Sequence, residues 1–273
     1  MRRRVHSFSG GRLLLLAFVA VLAAGRAHAQ EGVAGVATGL GNRFLQTYTP
    51  LTNDDGIFEV NFTHRFADAA KDAGPGGLWG LGGGSYVSLG VEYVFIKNLT
   101  LQISWNNSYY DYEFALKATL LRPTGSLPLA VGVRGGLNWD THSGPNKQSS
   151  GFGQVLAAYT IADRVTIAAS PSYTQRSPYH TDLWNVPLDL QVRVGRSWSV
   201  LGEWIPKKNW TPDSTYQWSV GVQKSFYHHR FIFYFGNTLP TAIDQLIGSD
   251  LNGNVTDRNV HIGFNIARNF EIK

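Results

Sequence analysis

The chain has 273 residues, rich in Gly (30), Phe (15), Tyr (12) and Trp (8), with one Met and no Cys. Disulfides, thiolate metal sites and a lipid-modified N-terminal cysteine are therefore excluded. Five of the 24 Lys+Arg (Arg2, Arg3, Arg4, Arg12 and Arg26) lie in the first 29 residues, which hold no acid, so the remaining 19 balance the 19 Asp+Glu and imply no nucleic-acid partner.

In chain order, the basic MRRR start, the apolar run Leu13–Ala24 and the Ala27-His28-Ala29 site make residues 1–29 a secretory signal peptide cut after Ala29. No later apolar run approaches the roughly 20 residues that a membrane helix needs. Residues 30–56 form an N-terminal segment, in which Gly41–Tyr48 reads as a short strand or an inward-folded arm or plug. Asn53-Asp54-Asp55-Gly56 is a turn signal.

Residues 57–273 then carry twelve segments of period two, the repeat of extended strands with one apolar and one polar face. The first, Ile57–Phe66, sets Phe58, Val60, Phe62 and Phe66 against Glu59, Asn61, Thr63 and Arg65. Ser85–Phe95, Leu99–Trp105, Tyr110–Leu121 and Leu129–Trp139 follow. Next come Gly153–Ile161, whose alternation is weak, Val165–Tyr173, Trp184–Gly195, Trp198–Trp204, Tyr216–Phe226 and Arg230–Asn237. The last, Asn259–Phe270, places Val260, Ile262, Phe264, Ile266 and Phe270 on one face, interrupted by Arg268.

Connections alternate long and short, with long loops at Ala67–Gly84 and Thr238–Asp257 and tight turns such as Ala162-Asp163-Arg164. Outer-membrane barrels show that asymmetry, with short periplasmic turns and long external loops. An even strand number returns both chain ends to the short-turn side. In lipid every backbone amide must pair within the protein, and a closed sheet is the all-strand solution. The fold class is therefore all-β, a closed antiparallel up-and-down transmembrane barrel of about twelve strands in the bacterial outer membrane. The competing architecture is a soluble β-sandwich. Strands of about ten residues, tipped by Trp79, Trp105, Trp139, Trp184, Trp204 and Trp218, favour the lipid-facing band. The partners implied are outer-membrane lipid and the assembly machinery that reads a closing strand.

The segments FEVNFTHRF, KNLTLQISW, ADRVTIAASPSYTQR, FYFGNTLPTAIDQLIG and NVHIGFNIARNF resemble a family of bacterial outer-membrane β-barrels, domain of unknown function 5777. The resemblance runs from about Arg43 to Phe270. It implies an outer-membrane barrel and brings no catalytic motif.

The polar faces hold the candidate lumen residues Glu59, Arg65, Glu92, Glu113, Lys117, Arg134, Asp189, Arg193 and Glu203, together with Asp111. Two clusters suggest themselves, Glu113 and Lys117 beside Arg134, and Asp189 and Arg193 beside Glu203. They read either as a self-neutralising network or as a charged constriction for small polar solutes. Small residues predicted to face inward (Gly90, Ala115, Ala130, Gly132, Gly136, Ala168, Gly221, Gly236 and Gly263) leave room for a narrow pore, although some serve sheet curvature. No histidine has metal spacing, and no cofactor is called for. Asp250–Asp257 resembles part of a calcium loop without its closing Glu. The functional expectation is a narrow, non-enzymatic channel for small polar solutes. The alternatives are a closed structural or partner-docking barrel and an outer-membrane lipid hydrolase.

Overall fold

The computed structural model describes residues 40–108, 110–141, 149–175, 182–206, 216–247 and 259–272. The leader, the His142 and His180 loops and the calcium-like Asp250–Asp257 lie outside them.

The strands are β1 (Ile57–Phe66), β2 (Ser85–Ile96), β3 (Leu99–Asn106), β4 (Asp111–Leu121), β5 (Leu129–Asp140), β6 (Ser150–Ile161), β7 (Val165–Ala169) and β8 (Ser172–Gln175). Then come β9 (Leu183–Asn185), β10 (Leu188–Arg193), β11 (Trp198–Ile205), β12 (Gln217–Phe226), β13 (His229–Gly236) and β14 (His261–Glu271). They form one antiparallel sheet in which β14 pairs with β1 and the β5–β6 pairing completes the ring. The segment from Val165 to Gln175 is one barrel strand in two pieces, β7 and β8. The segment from Leu183 to Arg193 is likewise β9 and β10. The barrel thus has twelve staves.

Both interruptions have the same cause, a proline in adjacent strands. Val155 N donates to Pro171 O and Ser170 N to Pro187 O, but neither proline can return the bond. Pairing resumes in unchanged register, with Ala169 opposite Ala157 and Ser172 opposite Gln154. The Ser170 carbonyl deprived by Pro187 is taken by Ser172 Oγ at 2.7 Å.

Exposure is inverted relative to a water-soluble protein. Leu116, Leu120, Leu137, Val220 and Phe233 on the outer face are open, while Glu59, Arg65, Lys117 and Arg134 on the inner face are buried. An exposed apolar band encircling a polar interior is stable only against hydrocarbon. Arg268, which breaks the apolar face of β14, lies beside the aromatic near its end, with its guanidinium 4.9 Å from the centre of the Phe270 ring.

The interior is filled by two segments of the chain itself. Residues 40–52 form a short hairpin inside the barrel, with Arg43 bridged to Tyr48, Phe44 N bonded to Thr47 O and Thr49 N to Asn42 O. Leu40, Phe44, Leu45 and Leu51 of this arm pack with Ala130, Ala158, Ala168, Leu201, Ile232 and Tyr234 of the wall. Residues 238–247, expected as part of an external loop, turn inward instead. There Ile243, Leu246 and Ile247 pack with Ala115, Phe152, Leu183 and Ile205. Burying each such side chain is worth about 1.5–3 kcal/mol, enough to draw an apolar loop off the surface.

These inserts revise the reading of the small inward residues. A Cβ at Gly132 would lie 2.8 Å from Pro50 O, one at Gly221 2.8 Å from Leu45 Cδ2, and one at Gly263 2.4 Å from the Tyr234 ring. Gly136 and Gly236 face neighbouring backbone, Phe114 O and Trp218 O. The space left by missing side chains is therefore not open lumen; the arm, Tyr234 and the sheet's own curvature occupy it. The weak alternation of β6 has the same origin, since Phe152 and Ala158 point inward against the inserts and Leu156 is buried on the same face.

Candidate functional site

Of the residues picked from the sequence, Glu59, Arg65, Glu92, Glu113, Lys117, Arg134, Asp189 and Glu203 are buried on the inner face. Arg193 is partly exposed near the short-turn end, opposite Ser199, and Glu203 faces Asp189 instead. The proposed grouping of Arg193 with Glu203 does not form. Arg193 lies four residues beyond the Asp189 rung, where its side chain is partly exposed rather than drawn into the interior.

One connected network spans much of the wall. Asn61 Nδ2 donates to Glu92 Oε1 (3.2 Å), Gln102 Nε2 to Glu92 Oε2 (2.8 Å), and Arg134 Nε to Gln102 Oε1 (2.6 Å). Arg134 also donates to Gln154 Oε1 (2.8 Å) and pairs with Glu113 across β4–β5, while Gln154 Nε2 reaches Ser172 Oγ (2.8 Å). Seven barrel strands are tied together by this chain of charge-assisted bonds.

The arm plugs into that network. Tyr48 lies between two guanidinium groups, with Arg43 Cζ 4.1 Å and Arg134 Cζ 3.8 Å from its ring centre, and its hydroxyl accepts from Arg43. Burial pushes the Tyr48 phenol up to about 12, against the pull of the two cations, so the ring stays neutral. Arg43 pairs with Glu92 at 3.6 Å. Lys117 stands opposite Arg134 on the neighbouring strand and donates to the arm carbonyl of Leu51 at 2.8 Å, with Asn42 O at 3.5 Å. Glu59 receives Asn42 of the arm and Asn53 just after it, and pairs with Arg230 at 3.4 Å.

At the arm's turn, Gln46 N and Thr47 N each donate to Glu203 Oε2 at 3.0 Å. Thr47 Oγ1 lies 2.8 Å from Asp189 Oδ1 and 3.0 Å from Glu203 Oε2.

The inward segment 238–247 is held from the opposite, long-loop end. Arg65 donates to Tyr234 Oη at 2.5 Å and to the carbonyls of Leu239 and Pro240. Ile243 N donates to Glu113 Oε2 (3.2 Å), Ser150 Oγ to Asp244 Oδ2 (2.6 Å) and Gln217 Nε2 to Leu246 O (2.6 Å). Burial, followed by the Glu113 charge, pushes the Asp244 carboxyl up to about 6, although Ser150 pulls it down. The two inserts approach each other through Ser219, which accepts from Gln46 Nε2 at 3.2 Å and lies 3.5 Å from Thr238 Oγ1.

Arg43, Tyr48, Arg230 and Asp244 are the site residues that periodicity does not reveal. The first two and Asp244 lie off the strands, and Arg230 opens one. The available signal is apolar content outside the twelve segments, Phe44-Leu45 in the stretch read as a short strand or inward-folded arm and Leu239…Ile243…Leu246-Ile247 in a supposed loop.

The profile of a membrane-bound beta barrel domain, domain of unknown function 5777, matches residues 40–270. The chain belongs to that family. Among solved structures, the KdgM porin is similar at 10% identity and TM-score 0.50, covering 78% of this chain and 99% of the porin. The COG4313 outer membrane channel from Pseudomonas putida F1 is similar at 10% identity and TM-score 0.50, covering 81% of this chain and 97% of that one. Outer membrane phospholipase A from Escherichia coli follows at 14% identity and TM-score 0.42, covering 87% of this chain and 98% of the other. No curated protein matches the chain. At 10% identity the two structures with TM-score 0.50 show a shared barrel fold and nothing more.

Proposed function

We propose that this DUF5777 barrel is a passive, non-enzymatic channel for small polar solutes in the outer membrane, closed in the conformation described. The observation that carries the reading is how the interior is filled. A barrel built only to be solid can fill itself with long side chains from its own staves. Here the wall is kept small at Ala130, Gly132, Ala158, Ala168 and Gly221, and the volume is taken by two inserts, each lying between barrel strands or ahead of the first. Against the wall they make bonds of the kind a polar solute would make, to Glu59, Glu92, Glu113, Lys117, Asp189 and Glu203.

The experiment is planar-bilayer conductance on two forms of the mature protein. The full chain is expected to be nearly silent. A chain lacking residues 40–52, with residues 240–247 replaced by a short Gly-Ser linker, is expected to carry a steady current. Resistance of both forms to detergent unfolding before heating would show that the barrel is formed. A folded, silent double variant would reject the channel and favour the closed structural or docking barrel, which the filled interior also suits.

A further inference from the structure

Asp189 and Glu203 stand directly opposite each other on β10 and β11, both buried and both on the inner face. The three ion pairs among the described residues, Arg134–Glu113, Arg43–Glu92 and Arg230–Glu59, leave this pair of carboxylates out. Like charges in a low-dielectric interior repel strongly, so something must supply donors. That role falls to the arm's turn. Two backbone N–H groups and the Thr47 hydroxyl converge on Glu203 Oε2, each at 3.0 Å, and the same hydroxyl reaches Asp189 Oδ1 at 2.8 Å.

The two side chains also bond to each other, and their remaining oxygens, Asp189 Oδ2 and Glu203 Oε1, receive no donor from a third residue although each residue is more than nine-tenths buried. Next to the pair, the Leu45 side chain fills the hollow left by Gly221, packed with Leu201 and Tyr234. The turn therefore presents several N–H and O–H donors with no charge of their own, beside one aliphatic group.

A protonated amine matches that set and completes it. It has three donors and no acceptor, and it brings the positive charge that the turn lacks. We propose that Asp189 and Glu203 form the binding site of the channel for the ammonium group of a small aliphatic amine, and that the arm's turn is its built-in occupant. Leu45 marks the place of the amine's alkyl part. The proposal rests on the channel reading, deepens it by naming the solute class, and makes the arm a competitor of the solute.

Two measurements test it. In the conducting double variant, a KCl gradient is expected to show a preference for K⁺ over Cl⁻ that falls about threefold or more on Asp189→Asn with Glu203→Gln, as expected when a charged ring is neutralised. A preference unchanged by those substitutions, or an anion preference, would overturn the site. A folded protein without current removes the channel itself and the site with it, so the two failures are told apart.

The second measurement keeps the full chain, which has no native cysteine to interfere. Gln46→Cys is labelled with a water-soluble thiol reagent in the presence of n-butylammonium or, as a control, butyrate. Butylammonium is expected to raise the labelling rate about threefold or more by shifting the arm out of its site, and butyrate to leave it unchanged. Equal rates with both probes would overturn the proposal. A butylammonium effect that persists undiminished after Asp189→Asn with Glu203→Gln would overturn it too.

Discussion

Replacing Arg134 by Ala is expected to destabilise the folded barrel by about 3–5 kcal/mol, the usual cost of stranding the partner of a buried ion pair. Glu113 loses its only ion-pair partner among the described residues while remaining buried. Gln102 and Gln154 each lose a donor, at 2.6 and 2.8 Å. Tyr48 loses the nearer of its two flanking cations, a contact worth about 0.5–2 kcal/mol when desolvated. The arm should loosen along with the wall. Equilibrium urea unfolding in detergent or lipid measures the first effect, and proteolysis of the arm the second. Arg134→Lys separates the causes, because it keeps the charge but cannot lie flat on the Tyr48 ring or bond several partners in one plane. A loss below about 1 kcal/mol for Arg134→Ala would mean that the pair behaves as a solvated surface bridge, and the sealed interior would be wrong.

In a chain lacking residues 40–52, where the inward segment is the remaining barrier, conductance is expected to rise between about pH 4 and pH 6 and then level off. Undocked, Asp244 titrates at its ordinary 3.8; docked, burial and the Glu113 charge hold it at about 6. Below 3.8 the carboxyl is protonated in both states and docking has its full strength. Between the two values the free segment ionises while the docked one keeps its proton, so docking weakens by up to about tenfold per pH unit. Above about 6 both are ionised and docking stays at its weakest.

The groups facing Asp244 are Glu113 and Asp111 of β4, Asp140 beyond Asp111, the Asn138 amide of β5, the Ser150 hydroxyl of β6 and its own neighbour Gln245. Bilayer current against pH, with Asp244→Asn as the comparison, makes the check. Current that falls as pH rises, or a slope unchanged in Asp244→Asn, would contradict the role given to this residue.

The staves are legible in the sequence because a membrane barrel separates hydrocarbon from the interior residue by residue. Phe58, Val60 and Phe62 against Glu59, Asn61 and Thr63 could be sorted on period alone. Proline interrupts that pattern without changing it, so Pro171 and Pro187 split two staves while leaving their register intact. Register sets Arg134 opposite Lys117 and Glu113 opposite Asn138, and the Glu113–Arg134 pair closes diagonally through the reach of the long Arg side chain. What lies inside follows a different logic. Arm and inward segment are irregular chain, whose positions depend on side-chain contacts more than a hundred residues away, such as Thr47 with Glu203 or Ile243 with Glu113. No periodicity reports such contacts. Hence the pairing of Glu203 with Arg193 looked natural in one dimension and fails in three.

The two inserts enter from opposite ends of the barrel. Leakage through the membrane therefore needs both inserts away together, and for odds that multiply it is far rarer than the loss of either alone. If each insert were undocked about one time in a hundred, both would be away together about one time in ten thousand, a tightness that a single barrier reaches only with about 5.5 kcal/mol in its favour. Each barrier can then be weak enough to yield to an ordinary solute or a modest pH change while the envelope stays sealed at rest.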